Sequence, residues 1–356
     1  MTIDRIKSLR DKFAEDYKAL LITNLKNINY LCGFSGSSGM LLVTKRSAWF
    51  FTDFRYKEQS AREINTDVKV IIADRNLVLA VCKKLKSLKA SALGIERYMS
   101  VGQYLFFTEN FGGKIVTADN LVEQLRQIKT DDEIKSLKKA FKIADDSFAK
   151  LMKVIKPGMT EIEVAAHLEF FMKNAGSQEP SFGTIIASGP NSSCPHAQPG
   201  SRKLKKGEMV KIDFGAVYNG FHSDMTRTIF LGKATPKFRK IYEIVLKAQT
   251  EAIKKIKPGA KCCDIDKAAR TIIDKAGYKE NFGHGLGHSL GLDVHEMPSL
   301  SPKCDTKIQP GMLFTVEPGI YLPGWGGIRI EDVFAVKETG LTRMTHTPND
   351  LLELKF

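Results

Sequence analysis

The tripeptide Lys-Pro-Gly occurs at Lys156-Pro157-Gly158 and again at Lys257-Pro258-Gly259, 101 residues further on (257 minus 156). Each copy ends a helical pattern, because proline cannot continue a helix and glycine accepts the left-handed cap conformation. A second helical stretch follows each copy, and the two close at Lys173-Asn-Ala-Gly176 and Asp274-Lys-Ala-Gly277, again 101 apart (277 minus 176). A tripeptide recurs easily by chance, whereas matched helix ends at one spacing point to an internal duplication. A duplicated chain must place two copies of one unit about a pseudo-twofold axis, which removes most topologies from consideration.

The acidic residues continue the repeat. Met209-Val-Lys-Ile-Asp213-Phe-Gly-Ala-Val-Tyr218 and Phe221-His-Ser-Asp224-Met-Thr-Arg-Thr-Ile-Phe230 read as two strands joined by Asn219-Gly220, a strong signal for a two-residue hairpin turn. Pairing Tyr218 with Phe221 sets Asp213 opposite Thr226, with Asp224 two residues away on the same face of the sheet. Aspartates among Val, Ile and Phe are costly to bury unless paired, and two on one face repel each other, so a cation is the simplest partner. In the second half, Leu313-Phe-Thr-Val-Glu317 is expected as a strand, Pro318 to Gly327 as a loop, and Gly327-Ile-Arg-Ile-Glu331-Asp-Val-Phe334 as the returning strand. Arg329 and Glu331 then share a face. Asp213 and Glu317 lie 104 apart (317 minus 213), and Asp224 and Glu331 107 apart (331 minus 224).

Between these acids runs Phe282-Gly-His284-Gly-Leu-Gly-His288, which continues to His295-Glu296 and gathers three of the seven histidines. A lone histidine in a glycine-rich turn is usually structural; His288 beside Asp213, Asp224, Glu317 and Glu331 is a different case. Four carboxylates and one imidazole are too many ligands for one small ion with an open position. They suit two divalent ions at roughly 3.5–4 Å. Carboxylate-rich ligation favours Mn(II), with Co(II), Fe(II) and Zn(II) as alternatives.

The ordered contexts Ile-Asp213-Phe-Gly, Ser-Asp224-Met-Thr-Arg, Gly-His288-Ser-Leu-Gly-Leu-Asp-Val-His295-Glu, Val-Glu317-Pro-Gly and Arg-Ile-Glu331-Asp resemble the dinuclear metallopeptidases of pita-bread fold. Among these the chain is most similar to the Xaa-Pro peptidases, aminopeptidase P and prolidase. The resemblance extends to the first domain through Tyr30-Leu-Cys-Gly-Phe-Ser-Gly-Ser-Ser-Gly39 and Phe51-Thr-Asp-Phe-Arg-Tyr56. It implies an α/β chain with a mixed-sheet creatinase-like domain (1–123), roofing an active site, followed by a pita-bread catalytic domain (124–356). It implies a homodimer, peptide substrates with proline second, and hydrolysis of the bond before proline. In this likeness His196 and His295 face the substrate and oppose the developing oxyanion, Arg329 matches the family arginine, and His284 and Tyr321 line the groove. Glu317 doubles as ligand and candidate base. No match exists for His167, His222 or His346, for which surface or packing roles are expected. The reading taken is a Xaa-Pro aminopeptidase, with Xaa-Pro dipeptidase as the alternative. A non-catalytic binding protein of this fold should have lost ligands, and all five positions are filled. A methionine aminopeptidase fits less well because of the leading domain.

Composition adds limits. The net charge of +14 raises nucleic acid as a partner, but lysines such as Lys135, Lys138, Lys139 and Lys142 are dispersed on the polar side of a helix, so no nucleic-acid role is expected. The first twenty residues carry Asp4, Arg5, Lys7, Arg10, Asp11, Lys12, Glu15 and Asp16, which fits neither a signal peptide nor a membrane anchor, so a cytoplasmic location is expected. Six cysteines (Cys32, Cys82, Cys194, Cys262, Cys263, Cys304) show no Cys-x-x-Cys pair and read as reduced thiols. Expected elements in the first domain are helices at Ile3 to Glu15, Asp53 to Ile64 and Asn76 to Leu88. Strands are expected at Ala19 to Thr23, Met40 to Val43, Ala48 to Thr52, Val68 to Ile72 and near Leu93 to Ile95. The Gly33 to Gly39 run lacks both a Walker lysine and the dinucleotide spacing, and reads as a structural turn. Thr130-Asp-Asp-Glu133 is a capping box opening a long helix to Ile155.

Overall fold

Helix and strand alternate from the start of the chain in a computed structural model that describes residues 4–64, 67–74 and 76–356. The chain divides into two compact units, Met1–Arg126 and Gln127–Phe356.

The first unit runs α1 (Arg5–Arg10), β1 (Ala19–Ile22), α2 (Leu25–Cys32), β2 (Met40–Thr44), β3 (Ala48–Thr52), α3 (Lys57–Glu63), β4 (Val68–Ile72), α4 (Leu77–Ser87), β5 (Ala92–Glu96), α5 (Val101–Phe111), β6 (Lys114–Ala118) and α6 (Leu121–Arg126). Its six strands form one mixed sheet in the order β4-β3-β2-β1-β5-β6. The β1-β2-β3 ladder is antiparallel, while β3-β4, β1-β5 and β5-β6 are parallel, the last with α5 as its crossover. Helix α1 is shorter than expected, because Asp4 caps it and it ends at Asp11; the expected start at Ile3 lies outside the described residues. Helix α2 was not foreseen; Asn24 caps its start and Gly33, at φ 85°, closes it.

The second unit begins with α7 (Asp131–Leu151) and α8 (Glu161–Asn174), followed by β7 (Ile185–Ser188), β8 (Met209–Phe214), β9 (Val217–Tyr218), β10 (Phe221–His222) and β11 (Met225–Leu231). Then come α9 (Pro236–Ile253), α10 (Cys262–Lys275), β12 (Gly287–Ser289), β13 (Glu296–Leu300), β14 (Leu313–Val316), β15 (Gly319–Leu322), β16 (Gly326–Arg329), β17 (Asp332–Val336), β18 (Leu341–Arg343) and β19 (Glu353–Leu354). The capping box at Thr130 and Glu133 is formed, and α7 buries Leu137, Phe141, Ala144, Phe148 and Leu151 as the periodicity requires. It stops at Leu151 instead of Ile155.

The duplication is visible in backbone detail. Gly158 and Gly259 adopt φ of 94° and 85°, and their N–H groups donate to Leu204 and Ile308, each at 2.8 Å. Thr160 bridges Lys203 as Lys261 bridges Lys307. Each half also builds its own core. Ile143, Phe148, Val164 and Leu168 pack with Ile186, Ile212, Phe214 and Ile229 in the first. Phe238, Ile241, Val245 and Ile265 pack with Phe314, Val316, Ile328 and Ile330 in the second.

One expectation fails in the second half. Pro318 to Gly327 is a paired hairpin, β15 with β16, in which Ile320 lies opposite Ile328 and Tyr321 opposite Gly327. The expected strand from Gly327 to Phe334 is therefore interrupted at Ile330 and Glu331. The reason is that Ile320 and Ile328 are fully buried, so core packing makes strands of a segment whose glycines read as loop.

Candidate metal centre

Residues Asn219 and Gly220 turn the first hairpin with φ of 50° and 76°, as a two-residue turn with positive φ at both positions requires. Tyr218 pairs with Phe221, and Asp213 lies opposite Thr226 on β11. Asp224 stands one residue before β11, Glu317 one residue after β14, and Glu331 one residue before β17. His288 is the middle residue of β12.

These elements converge. Ligand atoms of Asp224, His288 and Glu331 lie within 4.8 Å of one another. His288 Nε2 is 3.3 Å from Glu317 Oε1 and 3.7 Å from Asp224 Oδ2. Asp213 Oδ2 accepts from Arg329 Nη2. All five line one cavity of about 490 Å³, together with His196, His284, His295 and Arg329. Tyr321 is not on its wall. The Tyr321 hydroxyl sits 2.9 Å from both His284 Nε2 and Arg329 Nη1, and supports those two side chains from behind. His222 is buried with Nδ1 3.0 Å from Ser181 Oγ, while His167 and His346 are exposed.

The electrostatics fit a cation. Asp213 Oδ1 and Glu331 Oε1 are buried and have no hydrogen-bond partner among the described residues. Three buried carboxylates and the half-buried Glu317 face one guanidinium, Arg329. Burial, followed by the charges of neighbouring acids, pushes the Asp224 and Glu331 carboxyls well above their usual range. Burial alone would push Glu317 up as well, but the hydrogen bond and charge of His288 draw it down to about 2. Unpaired buried charges cost several kcal/mol each, so this donor set fits a divalent cation. His288 Nδ1 lies 3.0 Å from the Ser289 carbonyl. The Nδ1–H group donates to that carbonyl, so an ion would bind at Nε2 in place of the proton now shared with Glu317.

Several supports were missed by sequence reasoning. Thr226 Oγ1 donates to Glu331 Oε2 at 2.8 Å and accepts from Arg329 Nε at 3.0 Å. Thr315 Oγ1 accepts the His288 N–H at 3.0 Å and donates to Glu317 Oε1 at 3.2 Å. Glu296, next to His295, is paired with buried Lys129 at 2.9 Å. Lys211 is fully buried and donates to three carbonyls of the loop that carries His196. Strand alternation was the available signal, since Lys211 and Thr315 each precede an acid by two.

A duplicated α/β unit that gathers four acids and an imidazole in a cavity belongs to the class of carboxylate-ligated metallohydrolases. Metallopeptidase family M24 matches residues 135–338, a creatinase/prolidase N-terminal domain matches residues 5–128, and the chain belongs to this family. The chain is 37% identical to the Xaa-Pro dipeptidase of Pyrococcus horikoshii, over 98% of each. It superposes on the Xaa-Pro dipeptidase from Bacillus anthracis with a TM-score of 0.96, at 40% identity and 99% of both chains. The X-Pro aminopeptidase from Thermotoga maritima matches at a TM-score of 0.87 and 34% identity, over 95% of this chain and 97% of that one. The protein is thus a pita-bread Xaa-Pro peptidase by family, and the family implies divalent metal ions.

Proposed function

We propose that the chain is a Xaa-Pro dipeptidase that holds two divalent ions through Asp213, Asp224, His288, Glu317 and Glu331. The observation that carries the metal reading is the pair of unpartnered buried oxygens on Asp213 and Glu331 within the acid cluster. The dipeptidase reading displaces the aminopeptidase preference because full-length relatives from Pyrococcus horikoshii and Bacillus anthracis carry that name. Mn(II) is the proposed occupant, since the ligands are mostly carboxylate.

When bound, the ions supply the positive charge that lowers the pKa of water and polarises the scissile carbonyl. Glu317 accepts the proton of the attacking water. His196 and His295 stand exposed on the cavity wall and donate hydrogen bonds to the carbonyl oxygen as it becomes anionic. Burial holds the His284 imidazole below its usual pKa, so it lines the wall as a neutral ring braced by Tyr321. Arg329 fixes Asp213 and keeps its ligand face turned inward. Proline's tertiary amide lacks an N–H, which explains why a dedicated site is needed for this bond. A homodimer in the cytoplasm is part of the proposal. Among the described residues no helix is long and apolar enough to cross a membrane.

Rates on Ala-Pro, Ala-Pro-Pro and a longer Xaa-Pro peptide, with Mn(II) and with chelator, test this reading. Metal-dependent cleavage of Ala-Pro alone is expected. Cleavage of the longer peptides at equal rates restores the aminopeptidase, and inactivity on all three revives a binding role.

A further inference from the structure

We propose that Lys211 is the positioning residue for His196, an inference that rests on His196 facing the substrate as proposed above. Lys211 lies in β8, two residues before Asp213 on the same face, and is fully buried. Its Nζ donates to the carbonyls of Ser192 at 3.2 Å, Cys194 at 2.6 Å and Pro195 at 3.2 Å. An ammonium has three protons and no acceptor, so the three carbonyls use its full donor capacity. They lie within the four residues Ser192 to Pro195 of one short loop, immediately before His196.

The rest of that loop is anchored further away. Glu161 accepts from Ser188 N at 2.7 Å, Asn191 Nδ2 at 3.1 Å and Gly200 N at 3.3 Å, which fixes the two stems of the loop. Arg202 pairs with Glu208 at 2.6 Å beyond the second stem. Between the stems, Lys211 grips the backbone next to His196, and Arg329 Nη1 adds a longer bond to the Pro195 carbonyl at 3.4 Å. The duplication sharpens the point. The position equivalent to Lys211 in the second half is Thr315 (315 minus 211 is 104), whose short side chain holds His288 and Glu317 instead of a loop. A buried cation at one copy of a duplicated position is costly, and among the described residues its hydrogen bonds all go to the His196 loop, with the Tyr321 ring 5.2 Å away.

The test is a double-mutant cycle on the metal-loaded enzyme with Ala-Pro as substrate, using Lys211→Met, His196→Ala and the pair. Metal content and a crystal structure of Lys211→Met accompany the rates. A misplaced catalytic group costs about 10²-fold, so Lys211→Met should lower kcat by roughly 10- to 100-fold with KM little changed and both metals retained. In the His196→Ala background the same substitution should cost less than about threefold, because coupled residues do not add. The structure should show His196 displaced and Asp213 in place. Losses that multiply, metal lost in step with activity, or an unmoved His196 would overturn the proposal. Should Lys211→Met yield no folded protein, Lys211→Gln, which keeps two donor hydrogens, enters the same cycle. If the unsubstituted protein cleaves no Xaa-Pro peptide, the functional reading fails, while the displacement of His196 in the crystal still decides whether Lys211 places the loop.

Discussion

The two halves of the catalytic unit share a scaffold and differ in what they hang on it. Both carry a helix pair, a Lys-Pro-Gly turn with positive φ at Gly158 and Gly259, and two antiparallel strands with two acids in or beside them. Their hairpins differ. The first is a two-residue turn that returns to Asp224 after eleven residues (224 minus 213), and the second takes fourteen (331 minus 317) to form β15 and β16. The longer excursion delivers Tyr321 and Arg329 to the centre. At the position equivalent to Arg329, 107 earlier, the first half has His222, whose Nδ1 lies 3.0 Å from Ser181 Oγ. Duplication therefore supplies the ligand symmetry, and the unduplicated additions supply the groups that orient it.

If ligation is shared evenly, one acid from each half should be equally indispensable. Asp224→Asn and Glu331→Gln are each expected to reduce kcat/KM by more than about 10³-fold, beyond the loss of one oxyanion donor, and to lower the metal content measured by mass spectrometry. Full activity with either substitution breaks the shared-centre picture.

Orientation should not be symmetric. Arg329→Gln removes the bonds to Asp213, Thr226 and Tyr321 and is expected to lower kcat by about 10²-fold, the scale of one preorganised donor. His222→Gln, at the matching place, should change kcat less than about threefold by the same steady-state assay. Equal losses at the two positions would sink the distinction between scaffold and addition.

Metal removal measures how far the acids oppose folding. At a free-ion concentration of about 100 Kd, binding stabilises by roughly 2.7 kcal/mol, so chelation should lower the melting temperature by about 5–10 °C at the 2–4 °C per kcal/mol typical of this size. In chelator, Glu331→Gln should melt above the unsubstituted protein, because Gln replaces a carboxyl whose ionisation is opposed first by burial and then by the neighbouring acids. Calorimetry in both conditions checks it, and a lower melting temperature for the variant would deny that repulsion governs the metal-free state.

Much of this is legible in the sequence. The hairpin register followed from Asn219-Gly220, because a two-residue turn leaves no freedom to slip, and Asp213 opposite Thr226 followed from the register. The ends of α8 and α10 followed from Gly176 and Gly277, at φ 99° and 89°, whereas α7 and α9 stop at Leu151 and Ile253, before their Lys-Pro-Gly copies. What escaped depended on tertiary burial. Gly319 to Arg329 reads as loop by composition, yet Ile320 and Ile328 are drawn into the second core and pair as strands. The role of Lys211 was not legible, because only the path of the 189–196 loop shows what it holds. Tyr321 was placed on the groove wall but stands behind it, because resemblance locates a residue along a strand and not the direction of its hydroxyl.

The smallest predicted effect asks whether the scaffold itself is equivalent in the two halves. Gly158 and Gly259 have φ of 94° and 85°, and a Cβ built at either meets nothing within 4 Å. The cost of alanine there is then purely the backbone penalty of a left-handed conformation, about 1–2 kcal/mol. Gly158→Ala and Gly259→Ala should therefore lower the melting temperature by the same few degrees, at about 2–4 °C per kcal/mol, with kcat unaltered because both turns lie outside the metal centre. A difference larger than about 1 kcal/mol between them, read by chemical denaturation, would mean that the halves, although built alike, do not carry the stability of the fold alike.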